Sequence, residues 1–430
     1  MPTDDTTLIR AGSLVDVHAG EARRSQVVTI RGDRIEAVEP DRGRYDAGAS
    51  VIDLSRHTVM PGLIDCHAHL IGRDEDEAGS VDYALLLGRT GAEEALTGVR
   101  NARATLLAGF TTVRDVGTFR AHVDVALRAA IEAGWFVGPR MQCAGAYVTV
   151  SGGGGDIPPV APDVIVPREL RFGVANSVDE VRQRVREILH AGADLIKVIA
   201  TGAVMTRGTA PGAPEYSEAE IRAAVEEAAM YGVFVAAHAH GAEGIKRAVL
   251  AGVRSIEHGS LMDEEAIDLM AERGTYLVAD IFNGDWIADV GRRHRWPEEI
   301  LRKNDETTDA QRAGFQKAVE AGVRIAYGTD SGIYPHGMNA RQFPYMVRYG
   351  MTPMQAIQSA TLVAAELMGW EDRVGSLAPG RLADVVAVED DAIEDVGRLT
   401  DASFVMKGGR VIKHDGRAID GDGPGAGSND

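Results

Sequence analysis

The residue types most suggestive of chemistry in this chain are histidines placed after apolar runs. His67-Ala68-His69 is an extended HxH pair. Alternate residues of a strand point the same way, so both imidazoles can reach one ion. His238 and His240 repeat that spacing much further along, and His258 and Asp330 follow other apolar segments. A lone HxH is a weak signal. Two more histidines and an aspartate at independent strand ends make it strong, because packing alone asks for no imidazole there. Cys66 precedes His67, and alternation turns it away from the same side.

Lys197 is the second signal. Asp194-Leu195-Ile196-Lys197-Val198-Ile199-Ala200 otherwise reads as a buried strand, where a bare ammonium is costly unless paired. Burial favours the neutral amine, which is nucleophilic and can add CO2 to become a carbamate, an anionic oxygen ligand able to bridge two metal ions. The alternative is a salt bridge to Asp194 or Asp330.

These residues need a frame that brings separate strand ends together. From Val59 to about residue 370 the pattern is apolar strand, loop, helix, repeated. The strand candidates are 59–64, 111–116, 141–147, 195–200, 233–237, 255–257, 276–282 and 324–327. Seven follow a glycine suited to the left-handed end of a helix: Gly109, Gly134, Gly192, Gly232, Gly252, Gly274 and Gly322. Helix starts are marked by capping-box spacings at Ser177 with Glu180, Ser217 with Glu220 and Thr352 with Gln355. Eight βα units predict an α/β fold, a (β/α)8 TIM barrel over 59–370, whose functional residues sit at the C-terminal ends of the strands. Residues 1–58 and 371–420 read as short strands that pack together as one composite β-sandwich domain, and 421–430 as a disordered tail.

Composition narrows the function classes. The chain has 430 residues, 45% hydrophobic and 25% charged, with 45 Lys and Arg against 64 Asp and Glu, a formal net charge of −19. That field repels nucleic acid and anionic lipid, so neither is an expected partner. The 2 cysteines, Cys66 and Cys143, form no CxxC pair and no disulfide scaffold, which fits a reducing, cytoplasmic setting. No run has the length of a membrane span.

Pro61-Gly62-Leu63-Ile64-Asp65-Cys66-His67-Ala68-His69, Lys197, His238, His258 in Ile256-Glu257-His258-Gly259 and Asp330 in Gly328-Thr329-Asp330 together resemble the amidohydrolase superfamily. The segment from Val374 to Asp384 is similar to the one leading back into that superfamily's small β-domain. Thr111 to Gly117, the strand lysine and Ala237-His238-Ala239-His240-Gly241 resemble the branch of Xaa-Pro dipeptidases and N-acyl-amino-acid hydrolases, including ochratoxin-hydrolysing amidases. The resemblance implies His67, His69 and Asp330 on one ion, His238 and His258 on a second, and carboxylated Lys197 bridging them. Zinc is the usual metal. It further implies hydrolysis of an amide to a C-terminal amino acid by hydroxide attack, with Asp330 as general base and then general acid, a small-molecule substrate, and a homo-oligomer.

Two other function classes stand beside this one. A mononuclear cyclic-amide hydrolase or deaminase of the imidazolonepropionase-like type has no use for a bridging carbamate. A non-catalytic barrel is expected to have lost a ligand position, and all six are present. For substrate contact, His240 is a candidate, with a supporting role to a ligand as its alternative. A substrate carboxylate could meet Arg114, Arg207, His240, Tyr147, Tyr334 or His336, although Arg114 could equally be paired within the structure. The glycine run from Ser151 to Asp156, centred on Gly154, lacks the histidine that relatives often carry there, and reads either as an open, mobile lid or as a flexible connection. Asp280 reads as structural.

Overall fold

The computed structural model describes residues 6–45, 48–72, 83–157, 160–161 and 163–419; the tail over 421–430 lies outside them. Four strands come first: β1 (Thr6–Asp16), β2 (Glu21–Arg31), β3 (Arg34–Pro40) and β4 (Ser50–Pro61). The barrel strands follow as β5 (Leu63–Ala68), β6 (Phe110–Asp115), β7 (Arg140–Cys143), β8 (Tyr147–Val148), β9 (Ile196–Ile199), β10 (Val235–Gly241), β11 (Ser255–Leu261) and β12 (Tyr276–Val278). The chain then returns through β13 (Val385–Glu389), β14 (Phe404–Lys407), β15 (Arg410–His414) and β16 (Arg417–Ala418).

The barrel ladders are parallel in the orders β5-β6-β7 and β8-β9-β10-β11-β12. Residues 324–327 fill the remaining place. Arg324 O accepts from Leu277 N and Ala326 N donates to Leu277 O on one side, while Tyr327 O accepts from Cys66 N on the other. The ring of strands is thereby closed. All seven glycines expected to end helices have positive φ, between 66° and 100°.

The third strand departs from the sequence reading of one piece over 141–147. Gly145 takes φ 74°, so the strand breaks there; β7 pairs with β6, and β8 pairs with β9. The seventh strand stops at Val278 instead of 282, because Asn283 N turns back to Asp280 O at 3.0 Å as the helix Asn283–His294 begins. Ser217 and Thr352 form complete capping boxes. Ser177 forms only half of one, since the Glu180 carboxylate bonds Asn176 N instead.

The terminal strands make one mixed eight-stranded sheet in the order β16-β15-β14-β13-β4-β1-β2-β3. The first of the expected short strands is instead one long strand, β1, bulged between Ala11 and Ser13. Ile35 of edge strand β3 bonds Arg381 O and Gly380 N, so the sheet curls back on itself. One curled sheet thus does what two facing sheets would do in a sandwich. It encloses its own core of Ile9, Val28, Ile30, Leu54, Val385, Phe404 and Met406, separate from the barrel's. Truncating fully buried Phe404 should therefore unload this core alone. Phe404→Ala is expected to cost about 3–5 kcal/mol in denaturant unfolding while metal binding by the folded protein stays unchanged.

Candidate metal centre

β5 carries His67 and His69, β9 Lys197, β10 His238 and His240, and β11 His258, while Asp330 follows the closing segment 324–327. All of them line one cavity of about 310 Å3 at the C-terminal ends of the strands. Their donor atoms fall into overlapping groups. His67, His69 and Asp330 form one, His238, His240 and His258 another, and His258, Asp280 and Asp330 a third, with the atoms of each group within 4.8 Å of one another. His258 and Asp330 are shared, so the groups make one continuous constellation.

The outer bonds of these side chains fit a metal-binding role. His67 Nδ1 donates to Glu257 Oε2 at 2.9 Å, His69 Nδ1 to Gly117 O at 2.8 Å, and His258 Nδ1 to Asp280 Oδ1 at 3.0 Å. His238 uses Nε2 instead, toward Gly202 O at 3.3 Å. Each ring therefore has one nitrogen tied to an acceptor and keeps the other as a lone-pair donor, the tautomer that a cation requires. Asp330 Oδ1 lies 3.5 Å from His67 Nε2 and 3.3 Å from His69 Nε2. Its Oδ2 accepts from Asn283 Nδ2 at 3.1 Å, and Asn283 also bonds Asp280.

Charge follows from burial and neighbours. Burial and the adjacent imidazoles push His238 well below the ordinary histidine range, and burial pushes His240 down to about 3. Both are neutral ligand-type imidazoles. Burial alone would raise the Asp330 carboxyl, but the adjacent His67 and His69 side chains hold it well below the usual range. Lys197 is buried and pulled down to about 8 by desolvation, with Glu257 acting in the opposite direction. No described side chain hydrogen-bonds its Nζ. Asp194, one of its possible partners, pairs with Arg128.

The other sequence candidates divide. His240 and Tyr147 line the cavity, and so does the backbone at Gly154. His240 Nδ1 meets Ser260 Oγ at 2.8 Å, and its ring stacks on His258. It thus stands among the possible ligands, a place the sequence reading did not give it. Arg114 is not at the cavity. It is buried beneath it, bonding Glu257 Oε1 at 2.7 Å, Cys66 O at 2.6 Å and Ser255 Oγ at 3.1 Å. Tyr334 is packed against Phe282 and Trp286, and His336 holds His69 O at 3.1 Å and Thr105 Oγ1 at 3.1 Å. Arg207 is exposed and outside the cavity lining.

Asp280 also needs correction: it is a member of the constellation, held at about 2 by His258 against the effect of its own burial. Sequence reasoning also assigned no role to Glu257, Asn283 or Gln311, whose side chain donates to Asp280 Oδ1 at 2.8 Å. Glu257 carried the same signal as Lys197, a charge inside an apolar strand.

The backbone of the glycine run is tied to its neighbours at several points. Gly154 N donates to both Glu215 oxygens at 3.0 and 2.9 Å, and Gly154 O accepts from Thr206 at 2.6 Å. Gly152 N bonds Asp156, which Arg171 clamps through two nitrogens.

Two outcomes follow. Replacing the Glu257 carboxylate by a neutral amide weakens the acceptor that orients His67, so Glu257→Gln should weaken metal affinity roughly 10- to 100-fold in competition with a chelator. Burial raises Glu215 to about 7 from an ordinary 4.5. The folded protein then binds more protons than the unfolded chain between those values, so stability falls as pH rises through that window. Glu215→Gln should flatten this slope in melting curves taken at successive pH values.

The amidohydrolase family model matches residues 58–414. Ochratoxinase from Aspergillus niger is 34% identical over 438 residues, covering 95% of this chain and 87% of that protein. The crystal structure of a Xaa-Pro dipeptidase with methionine bound in its active site superposes with a TM-score of 0.88 and 38% identity, over 95% of this chain and 100% of the other. A prolidase complexed with N-methylphosphonate-L-proline superposes at 0.86 with 32% identity, over 95% and 100%. With its barrel, its curled terminal sheet and its histidine-aspartate constellation in place, the chain belongs to the amidohydrolase family of metal-dependent enzymes acting on carbon–nitrogen bonds.

Proposed function

We propose that the protein hydrolyses the amide bond to a C-terminal amino acid in a dipeptide or N-acyl amino acid, using two divalent ions, most simply zinc. One observation carries this reading: two donor groups, linked by a third that takes His258 from one and Asp330 from the other, open on one cavity beside a buried lysine with no described hydrogen-bond partner. His67, His69 and Asp330 would hold one ion, and His238 and His258 the other. Lys197 would join them after its neutral amine adds CO2 and releases a proton, giving an N-carboxylate. Its charge is felt both by His67 and by His238, one in each group. The relatives support the substrate class, since one is named an ochratoxinase, one a Xaa-Pro dipeptidase and one was solved with a proline phosphonate.

When bound, such ions polarise a carbonyl and lower the pKa of water. The chain supplies the remaining steps. Asp330, ionised and steadied by Asn283, accepts a proton at its carboxylate and returns it to the departing nitrogen. Neutral His240 and the Tyr147 hydroxyl offer polar contacts at the cavity wall, while Ile199, Val204, Met205 and Ile287 line it with apolar surface and exclude water. A single-ion cyclic-amide hydrolase leaves Lys197 without a function.

A panel of dipeptides and N-acyl amino acids, assayed for released amino acid after zinc or cobalt reconstitution, tests the reading. Two ions per chain are expected, and chelation should abolish release. Asp330→Asn should lower kcat by about 10²- to 10⁴-fold. Activity that survives full chelation, or a stoichiometry of one, overturns it.

A further inference from the structure

A free carboxylate on the substrate must be neutralised inside a protein whose own net charge is −19. The cations first considered for this do not serve, since Arg114 is spent on Glu257 and Arg207 lies outside. Among the described residues the cavity wall holds two ammonium or guanidinium side chains, Lys197 and Arg89. Lys197 belongs to the metal centre. Arg89 is half-buried, and no described hydrogen bond or ion pair engages its guanidinium.

Its backbone, in contrast, is fixed. Arg89 O accepts from Arg120 Nη2 at 2.7 Å, and the next residue, Thr90, caps the helix Gly91–Leu107 in a capping box with Glu93. Among the described acids, Glu93 and Glu94 feel the Arg89 charge, and both are already committed. Glu93 accepts from Thr90 N at 2.7 Å and Thr90 Oγ1 at 2.9 Å, and Glu94 pairs with Arg120 at 3.3 Å. The cavity lining nearby in sequence includes Leu86, and Ile71 and Phe119 line the same cavity. A guanidinium on a fixed backbone, partly withdrawn from water and without a partner among the described residues, is set up for a planar anion that can take two of its N–H groups.

We propose that Arg89 takes the free carboxylate of the substrate in a bidentate pair, so that the site selects N-acyl amino acids and dipeptides over their neutral amides. This rests on the hydrolase reading above and names the group that reads the charged end of its substrate.

The test compares N-acetyl-phenylalanine with N-acetyl-phenylalaninamide. Calorimetry on the metal-free protein isolates recognition from turnover. The wild type should bind the acid about 10- to 100-fold more tightly than the amide, Arg89→Gln should reduce that preference to less than about 3-fold, and Arg89→Lys should fall between. Equal affinity of the wild type for both compounds overturns the proposal, as does an acid preference that Arg89→Gln retains, or an equal loss for both ligands. The kcat/KM ratio of the two compounds in the metal-loaded enzyme should follow the binding ratio. If neither compound nor any of the panel is hydrolysed while the binding preference depends on Arg89, the hydrolase reading fails and the carboxylate site stands.

Discussion

The Glu257 carboxylate is the interaction on which the rest of the site depends. It lies fully buried in β11 and accepts from Arg114 at 2.7 Å, from Ser255 Oγ at 2.5 Å and from His67 Nδ1 at 2.9 Å. Those contacts clamp β5, β6 and β11 together across the barrel interior. Burial alone would make this acid a neutral one, yet Arg114 and Lys197 hold it ionised, well below the usual carboxylate range. A buried pair of this kind contributes little net stability against a well-packed apolar alternative. Its effect is directional. It fixes the hydrogen on His67 Nδ1 and so leaves Nε2 facing Asp330.

The backbone shows the same division between fold and site. His258 and Asp330 adopt φ of 70° and 54°, a region that residues with a side chain seldom occupy. Both are candidate ligands, and neither is held by helix or ladder geometry alone. Around Asp330 the chain is pinned by Asp330 N to His67 O at 2.7 Å and by His69 N to Ser331 O at 2.9 Å. Buried Asp65 adds bonds from Thr329 N at 3.1 Å, Thr329 Oγ1 at 2.5 Å and Asn339 Nδ2 at 2.9 Å. The positions of these candidate ligands are therefore set by a hydrogen-bonded frame that joins the first and last barrel strands.

Residue type and spacing made much of this legible. The helix-ending glycines, the strand alternation and the odd histidines and lysine carry local signals, because each is a residue whose physical cost is visible in its immediate neighbours. From sequence alone Arg114 stays open between recognition and pairing, Asp280 is misread and Glu257 is passed over, because their meaning lies in a partner from another strand. Arg114 looks like a recognition residue until Glu257, far away in sequence, is placed against it. Tyr334 and His336 failed for a different reason. They follow a catalytic strand end, but the loop returns inward, so both are spent on packing and on holding His69 O.

The glycine run shows how main chain builds part of the cavity wall. A Cβ at Gly154 would stand 3.1 Å from Ala203 N and from Ile199 Cγ2, and one at Gly155 would stand 2.7 Å from Ile199 Cγ1. Glycine here permits close packing of the loop onto its neighbours, and Glu215 and Thr206 then hold it by its own amide and carbonyl. The wall at this point is main chain, so it presents peptide groups where a side chain would otherwise project. A wall pinned in this way offers peptide groups and no ionisable side chain between Gly152 and Gly155. Selection must then come from the shape of the apolar lining and from the few polar groups left unspent, since Glu257, Arg114 and Asp280 are already paired within the protein.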